Sequence, residues 1–282
     1  MKTYIKVGLL VVSVVAAGFG VFIAWIKMEN EEIVDGIKPK YSVEFLEERR
    51  KHIYVIDGSK YASVTNVLNI IGGRKTQMLM NWSKKIALNC VSDNIKGAIS
   101  GGTEVSNELI DGIIDLAKKR PDHVKTSAGD FGTKAHDLID NWIKNKTEPA
   151  DDDPAKPVFE GFMKYLTEHK LNIVSGDIIL GSRKDKIGGR ADLVIKNEEG
   201  EYCIVDFKTS NFVAPDYHLQ VSAYAKMLSE QYDIPLSKKC YIVKFLKDKP
   251  EYEVIEVGDI ERNYRAFLAA KELKETIEAI SF

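Results

Sequence analysis

The chain has 282 residues, of which 44% are hydrophobic and 29% are charged, a composition typical of an ordinary globular protein. Its formal charge of −2 argues against a strong overall basic field, although one groove of a neutral protein can still be basic. The three widely spaced cysteines, Cys90, Cys203 and Cys240, argue against a disulfide framework and a thiolate metal site, and they favour a reducing compartment.

The first predicted element is an uncharged apolar stretch from Val7 to Ile26. Its length is about the ~20 residues that a helix needs to span a bilayer, so residues 1–27 are predicted to be a transmembrane anchor. As an alternative, the working protein starts at Met28 and lacks this segment. The flanking lysines specify the orientation poorly, and low cysteine usage favours an intracellular, cytoplasmic domain.

The region from residue 28 to residue 128 is predicted to be mostly helical. Ser63 or Thr65 provides an N-cap, apolar residues follow in a helical pattern, and a Gly-Gly pair ends that helix. The other elements expected here are a short helix over 41–51, a strand over 52–57, and helices over about 77–91 and 104–119.

Residues 129–282 are predicted to combine helices with a β-sheet. A helix comes first, because apolar residues recur on one helical face from Phe131 to Trp142, and a polar loop over 144–157 follows it. The later elements are a helix over about 158–169, strands near 172–181, 187–196 and 201–208, a helix over about 215–231, strands near 239–246 and 251–257, and a helix from about 259. This order predicts an α/β or α+β fold, with a central mixed sheet flanked by helices and a helical N-terminal half.

The predicted hairpin near the middle of this region carries charges among apolar residues. With a turn over 197–201, one face is apolar and the other carries Asp192, Asp206 and Lys208. Asp192 then stands opposite Asp206, with Cβ atoms ~4.5–5.5 Å apart, and a divalent cation such as Mg²⁺ would relieve their repulsion. The pattern therefore favours a phosphodiesterase site, and the alternative is a solvated edge with a Lys–Asp ion pair.

Three consecutive motifs resemble the PD-(D/E)xK nuclease superfamily, specifically its RecB-like exonuclease branch. The motifs are "GGRADLVI", "CIVDFKTS" and "HLQVSAYAKML", and they place Asp192, Asp206-Phe207-Lys208 and Gln220 through Tyr224 in the family's order. Upstream, "FGTKAHDLID" is similar to a helix of this branch, and "YASVTNVL" is similar to a segment of mitochondrial genome-maintenance exonucleases and their phage relatives. The resemblance implies a sheet of restriction-endonuclease type, formed by residues 129–282.

The resemblance also implies roles for individual residues. Asp192, Asp206 and Lys208 would be catalytic, with Mg²⁺ or Mn²⁺ held by the two aspartates and His136. For His136 the alternative is a helix histidine hydrogen-bonded at the margin of the core. The remaining assignments are supporting ones: Gln220 and Tyr224 steady Lys208 or the nucleic-acid backbone, Asp140 orients the imidazole of His136, and Asp177 stands where the family often has a further acid, usually Glu.

The implied activity is a divalent-metal-dependent DNA nuclease, with an exonuclease acting on single-stranded or free DNA ends as its specific form. The alternatives are a non-catalytic nucleic-acid-binding module on the same fold and an endonuclease of the same superfamily. Three scattered cysteines cannot supply the four-cysteine iron–sulfur site of some relatives, and no Walker A motif is present. We therefore expect no iron–sulfur cluster and no nucleotide cofactor, and a membrane tether through residues 7–26.

Overall fold

The computed structural model describes residues 10–11, 26–30, 34–48 and 51–280, and all structural statements below concern these residues. The strands are β1 (Leu10–Val11), β2 (Ile26–Asn30), β3 (Val43–Glu48), β4 (Lys51–Ile56), β5 (Ser59–Ser63), β6 (Asn172–Ser182), β7 (Ile187–Lys196), β8 (Tyr202–Lys208), β9 (Cys240–Phe245) and β10 (Tyr252–Val257). The helices are α1 (Val64–Leu68), α2 (Gly73–Ser100), α3 (Asn107–Asn145), α4 (Lys156–Glu168), α5 (Asp216–Tyr232) and α6 (Ile260–Ile280), with a short 3-10 helix at Asn69–Ile71.

The described strands form one mixed β-sheet in the order β1-β2-β3-β4-β5-β7-β8-β9-β10, and β6 pairs with β7. The pairs β5–β7 and β8–β9 are parallel, whereas the other pairs are antiparallel. With helices between and after the strands of a mixed sheet, the predicted fold class is confirmed.

The middle strand β7 organises the sheet around the predicted site. One of its edges is paired with β6 along nearly its whole length. The other edge is shared, because residues 193–196 pair with β8 whereas Ile187 and Gly188 pair with β5. Between these two pairings β5 and β8 diverge, and we call this opening at residues 189–192 the β7 fork.

The chain divides into two compact units. One consists of Met1–Ile71 together with Ala135–Phe282 and contains the sheet, and the other is the helical segment Gly72–Lys134. The sequence predicts one helical region over residues 28–128, whereas the strands before residue 64 group with the rest of the sheet.

The short helix predicted over 41–51 is wrong, because Val43–Glu48 forms strand β3. The side chains of Val43 and Phe45 alternate into a buried cluster with Tyr54 and Ile56 of β4. Such cross-strand packing is non-local, and it outweighs the helical preference of the Glu- and Arg-rich end of the segment.

The other helices follow the sequence more closely. The predicted N-cap is confirmed at Ser63, whose Oγ accepts a hydrogen bond from the Asn66 N–H at 3.1 Å. The helices expected over 104–119 and around Phe131–Trp142 are one continuous helix, α3, which contains Pro121.

The predicted transmembrane helix, and the membrane tether with it, is wrong. Across the described parts of the chain, the structure has no helix with both the length and the apolar character that a bilayer crossing requires. Within residues 7–26, Leu10, Val11 and Ile26 lie in strands β1 and β2, and the other residues of the stretch lie outside the described ranges. Val11 and Ile26 are β-branched, and β-branched residues favour strands over helices.

Candidate active site

The β7 fork holds the first predicted acid. The β7–β8 ladder includes the pair Val194–Ile204 and ends at Leu193–Val205, so the predicted register is confirmed and Asp192 and Asp206 come one step after its last pair. At this step the backbone N–H of Phe207 donates a 2.7 Å hydrogen bond to Oδ2 of Asp192. The carboxylate of Asp192 thus satisfies a backbone donor that the ladder leaves unpaired.

The second acid, Asp206, is buried beside Lys208. Its side chain is 2% exposed, and the Lys208 ammonium lies 2.5 Å from Oδ2. The two groups are close enough to form an ion pair. Among the described residues, however, no donor makes a hydrogen bond of regular geometry to Oδ2 of Asp206. Lys208 also lies over the ring of Tyr217, with its Nζ atom 4.6 Å from the ring centroid.

Burial sets the ionisation of this acid. It raises the pKa of Asp206 from 3.8 to about 6; the Lys208 ammonium opposes this rise and the charge of Asp192 adds to it. Burial alone would lower the pKa of Lys208, but the charges of Asp206 and Asp192 raise it overall. The ammonium therefore stays charged beside a carboxyl group that ionises reluctantly.

His136 of α3 is brought to Asp192. Its Nδ1 atom lies 3.2 Å from Oδ1 of Asp192, and its ring packs edge-on to Phe207 at 6.2 Å between centroids. Burial would raise the pKa of Asp192, but the charge and the hydrogen bond of His136 lower it overall. In turn, burial would lower the pKa of His136, and Asp192 raises it overall. Each side chain thus favours the charged form of the other.

The two acids suit a hard divalent cation in charge and in donor type. Among the described residues, no three or more His, Cys, Asp and Glu side chains are grouped so as to hold a metal ion. Mg²⁺, however, is commonly bound by one or two carboxylates and completed by water and substrate oxygens. The buried Oδ2 of Asp206, which lacks a regular hydrogen bond, is the atom that such an ion would satisfy. His136 Nδ1 already contacts Asp192, so its assignment as a ligand stays a prediction.

Asp140 and Asp177 lie in a second ionic cluster with Lys144 and Arg190. The Lys144 ammonium contacts Asp140 at 2.8 Å and Asp177 at 3.2 Å. Arg190 contacts both carboxylate oxygens of Asp177, through Nε and through one terminal nitrogen. Asp140 therefore has Lys144 as its partner, and its predicted role of orienting His136 stays a prediction.

Gln220 and Tyr224 form a pair on α5, as their spacing predicts. Nε2 of Gln220 donates to the Tyr224 hydroxyl at 2.9 Å, and both side chains are buried. Tyr224 is only 3% exposed, so its ring belongs to the core. A side chain at Gly189 would overlap the Tyr224 ring, so the glycine lets this ring approach β7 closely. The supporting roles of Gln220 and Tyr224 stay predictions.

Sequence reasoning missed Arg190 and Lys144. Arg190 is the charged residue of "GGRAD" that shares a strand face with Asp192, and this alternation was a usable signal. Lys144 follows Asp140 by one helical turn, a spacing that permits an ion pair. Their contacts with Asp177 join β6, β7 and α3, which only the tertiary structure shows.

Comparison with known proteins supports the resemblance. Residues 156–281, from α4 to α6, match the family model of the PD-(D/E)XK nuclease superfamily, which confirms the predicted superfamily. An uncharacterised protein of Ureaplasma parvum serovar 3 is 24% identical over 112 residues, which are 36% of this chain and 54% of that protein. The chain therefore spans about half the length of this curated relative.

Similar solved structures share little sequence with the chain. SSO0001 is 19% identical, with 42% of this chain and 57% of that chain covered and a TM-score of 0.27. LHK-Exo in complex with dAMP is 13% identical, with 78% and 93% covered and a TM-score of 0.36. The alkaline exonuclease LHK-Exo from Laribacter hongkongensis, in a further crystal structure, is 12% identical, with 53% and 84% covered and a TM-score of 0.27.

Proposed function

From the match of residues 156–281 to the PD-(D/E)XK nuclease superfamily, we propose that the chain is a divalent-metal-dependent nuclease that hydrolyses phosphodiester bonds in DNA. The observation that carries the proposal is the buried Asp206 carboxylate, which lies beside the Lys208 ammonium and next to Asp192 in the β7 fork. A buried acid with a raised pKa is a poor structural element and a suitable group for binding a cation.

The residues divide the chemistry between them. Asp192 and Asp206 would hold Mg²⁺ or Mn²⁺, and such an ion would supply Lewis-acid polarisation of the phosphodiester and activation of water. Lys208 holds the attacking water by a hydrogen bond and offsets the negative charge that develops on the phosphate. His136 keeps Asp192 ionised and fixes the orientation of its carboxylate.

The specific form that we propose is an exonuclease acting on single-stranded or free DNA ends. Its support is the sequence resemblance to the RecB-like branch. Linear DNA with each end blocked in turn, compared with circular single-stranded DNA, separates this form from an endonuclease. Cleavage of the circles at the rate of the linear DNA would contradict the exonuclease assignment.

The activity is tested with labelled single-stranded DNA in Mg²⁺ or Mn²⁺, and in EDTA. We expect Lys208→Ala and Asp206→Asn to lower the cleavage rate by about 10²-fold or more, as loss of a group that stabilises transition-state charge does. Lys239→Ala is the matched control, because Lys239 also pairs with an acid, Glu256 at 2.9 Å, but at an exposed position. Digestion by Lys208→Ala at the wild-type rate would refute the proposal. Metal-independent binding without cleavage would favour the non-catalytic module instead.

A further inference from the structure

Arg190 stands beside the carboxylates without a role in the chemistry described above. Residues two apart on a strand share a face, so Arg190 lies on the same face of β7 as Asp192, ~7 Å along the strand. The Arg190 side chain is 41% exposed, whereas that of Asp177, its partner, is 18% exposed. The guanidinium is therefore accessible at the edge of the β7 fork.

Asp177 holds this guanidinium in place. In the β6–β7 ladder Asp177 falls between two regular pairs, so that it stands opposite Asp192. Its backbone, however, has a left-handed φ of 54°, which departs from the regular strand. Its carboxylate engages Arg190 with both oxygens and Lys144 with one. Because Lys144 and Arg190 are both positively charged, they already offset the negative charge of Asp177.

The guanidinium retains unused donors. An arginine has five N–H donors in a planar fork, and the two nitrogens that contact Asp177 leave others free to bind a second anion. This fork fits phosphate oxygens well, and an arginine already held by a carboxylate loses little side-chain entropy when it binds. Lys144 adds a second positive charge to the same cluster.

We propose that Arg190 binds a substrate phosphate next to the one that is cut, and that Asp177 positions Arg190 rather than holding the metal ion. The proposal rests on the proposed nuclease function and assigns it a phosphate-binding residue. Arg190 and Asp192 are two positions apart, ~7 Å along the strand, so a nucleic-acid strand lying across the fork meets the arginine and the carboxylates with neighbouring phosphates.

The test measures DNA binding without cleavage. In an Asp206→Asn background, a fluorescein-labelled single-stranded DNA is titrated in EDTA at several KCl concentrations, with fluorescence anisotropy as the readout. Arg190→Ala is expected to weaken binding about tenfold and to reduce the slope of log K against log salt by ~0.7, the value for one lost phosphate contact on a single strand. Arg183→Ala is the matched control, since Arg183 pairs with Asp57 at 2.6 Å and is 45% exposed. It should leave both quantities unchanged.

Two further variants separate binding from folding and from metal binding. Arg190→Lys keeps a cation beside Asp177 but has fewer donors, so we expect a folded protein, by circular dichroism, with weakened DNA binding. Asp177→Asn, in the active background, should raise the KM for DNA while the Mg²⁺ concentration for half-maximal activity stays the same.

The outcomes that overturn the inference are distinct. Arg190→Ala and Arg190→Lys binding as tightly as their parent, with an unchanged salt slope, would remove the phosphate role. A rise of about tenfold in the Mg²⁺ requirement of Asp177→Asn, with DNA affinity unchanged, would assign Asp177 to the metal site instead of to Arg190. Absence of salt-dependent DNA binding in the Asp206→Asn parent would overturn the proposed DNA function, and the role of Arg190 with it.

Discussion

Replacing Asp206 by asparagine is expected to stabilise the metal-free protein at neutral pH while it removes the proposed nuclease activity. In the folded protein the pKa of Asp206 is raised from 3.8 to about 6, chiefly by burial. Each pH unit of such a shift corresponds to about 1.4 kcal/mol, so ionising Asp206 in the folded state costs about 3 kcal/mol more than in the unfolded chain. Asparagine has nearly the same shape and never carries this charge.

The sign follows from the proton balance. Between about pH 4 and pH 6 the unfolded chain has released the proton of Asp206, whereas the folded protein still binds it, so this residue lowers the free energy of unfolding as the pH rises. Above about pH 6 both states are ionised and the contribution is constant. The attraction of Lys208 for ionised Asp206 is already contained in the pKa of about 6, and Lys208 stays charged over this range because its own pKa is raised.

The measurement is the difference in the free energy of unfolding between Asp206→Asn and wild type, from urea titrations in EDTA at intervals from about pH 4 to pH 8. From about pH 4 to pH 8 this difference should rise by about 2.5 kcal/mol in favour of the variant and then level off. Asp151→Asn is the control, because Asp151 is fully exposed and its pKa is lowered by Lys156, so no gain with pH is expected. A difference that is flat with pH, or that rises in favour of wild type, would refute the reasoning.

Three other outcomes test the site and its packing. Mg²⁺ at about ten times its dissociation constant should stabilise wild type by about 1.4 kcal/mol in thermal melts and leave Asp206→Asn unchanged; equal shifts would place the ion elsewhere. Asp192→Ala should be about 1–3 kcal/mol less stable than Asp192→Asn, because alanine leaves the backbone N–H that Asp192 binds without an acceptor. Equal stability would mean that water replaces this bond. Gly189→Ala should cost about 1–3 kcal/mol because its methyl group overlaps the Tyr224 ring, whereas Gly97→Ala, in an open position of α2, should be neutral or stabilising; a neutral Gly189→Ala would contradict the close packing.

The site was predictable where the signal is local. The five-residue turn closes through a 2.9 Å hydrogen bond from the Asn197 N–H to the Glu201 carbonyl, and this fixes the β7–β8 register that the sequence implies. Strict alternation then decides which side chains share a face, so Asp192, Asp206 and Lys208 could be placed together before any coordinates. The pKa values of these three groups could not be predicted in this way, because they depend on how deeply the folded chain buries each side chain.

The missed features are non-local. Strand β3 depends on its pairing with β4, and a Glu-rich segment read alone favours a helix. Arg190, Lys144 and Asp177 come from three elements and meet only in the folded chain. The left-handed conformation of Asp177 has no marker in the sequence beyond the tolerance of aspartate for it.

The registers of β6, β7 and β8 place three acids in one row across the sheet: Asp177, Asp192 and Asp206. Like charges in such a row repel one another, and each acid has a basic side chain beside it: Arg190, His136 and Lys208 respectively. These basic side chains offset the burial of the acids to different extents. The pKa of Asp192 is lowered overall, whereas that of Asp206 stays raised although Lys208 lies beside it. An arriving divalent cation therefore gains most at Asp206, where the existing positive charge falls furthest short of offsetting burial.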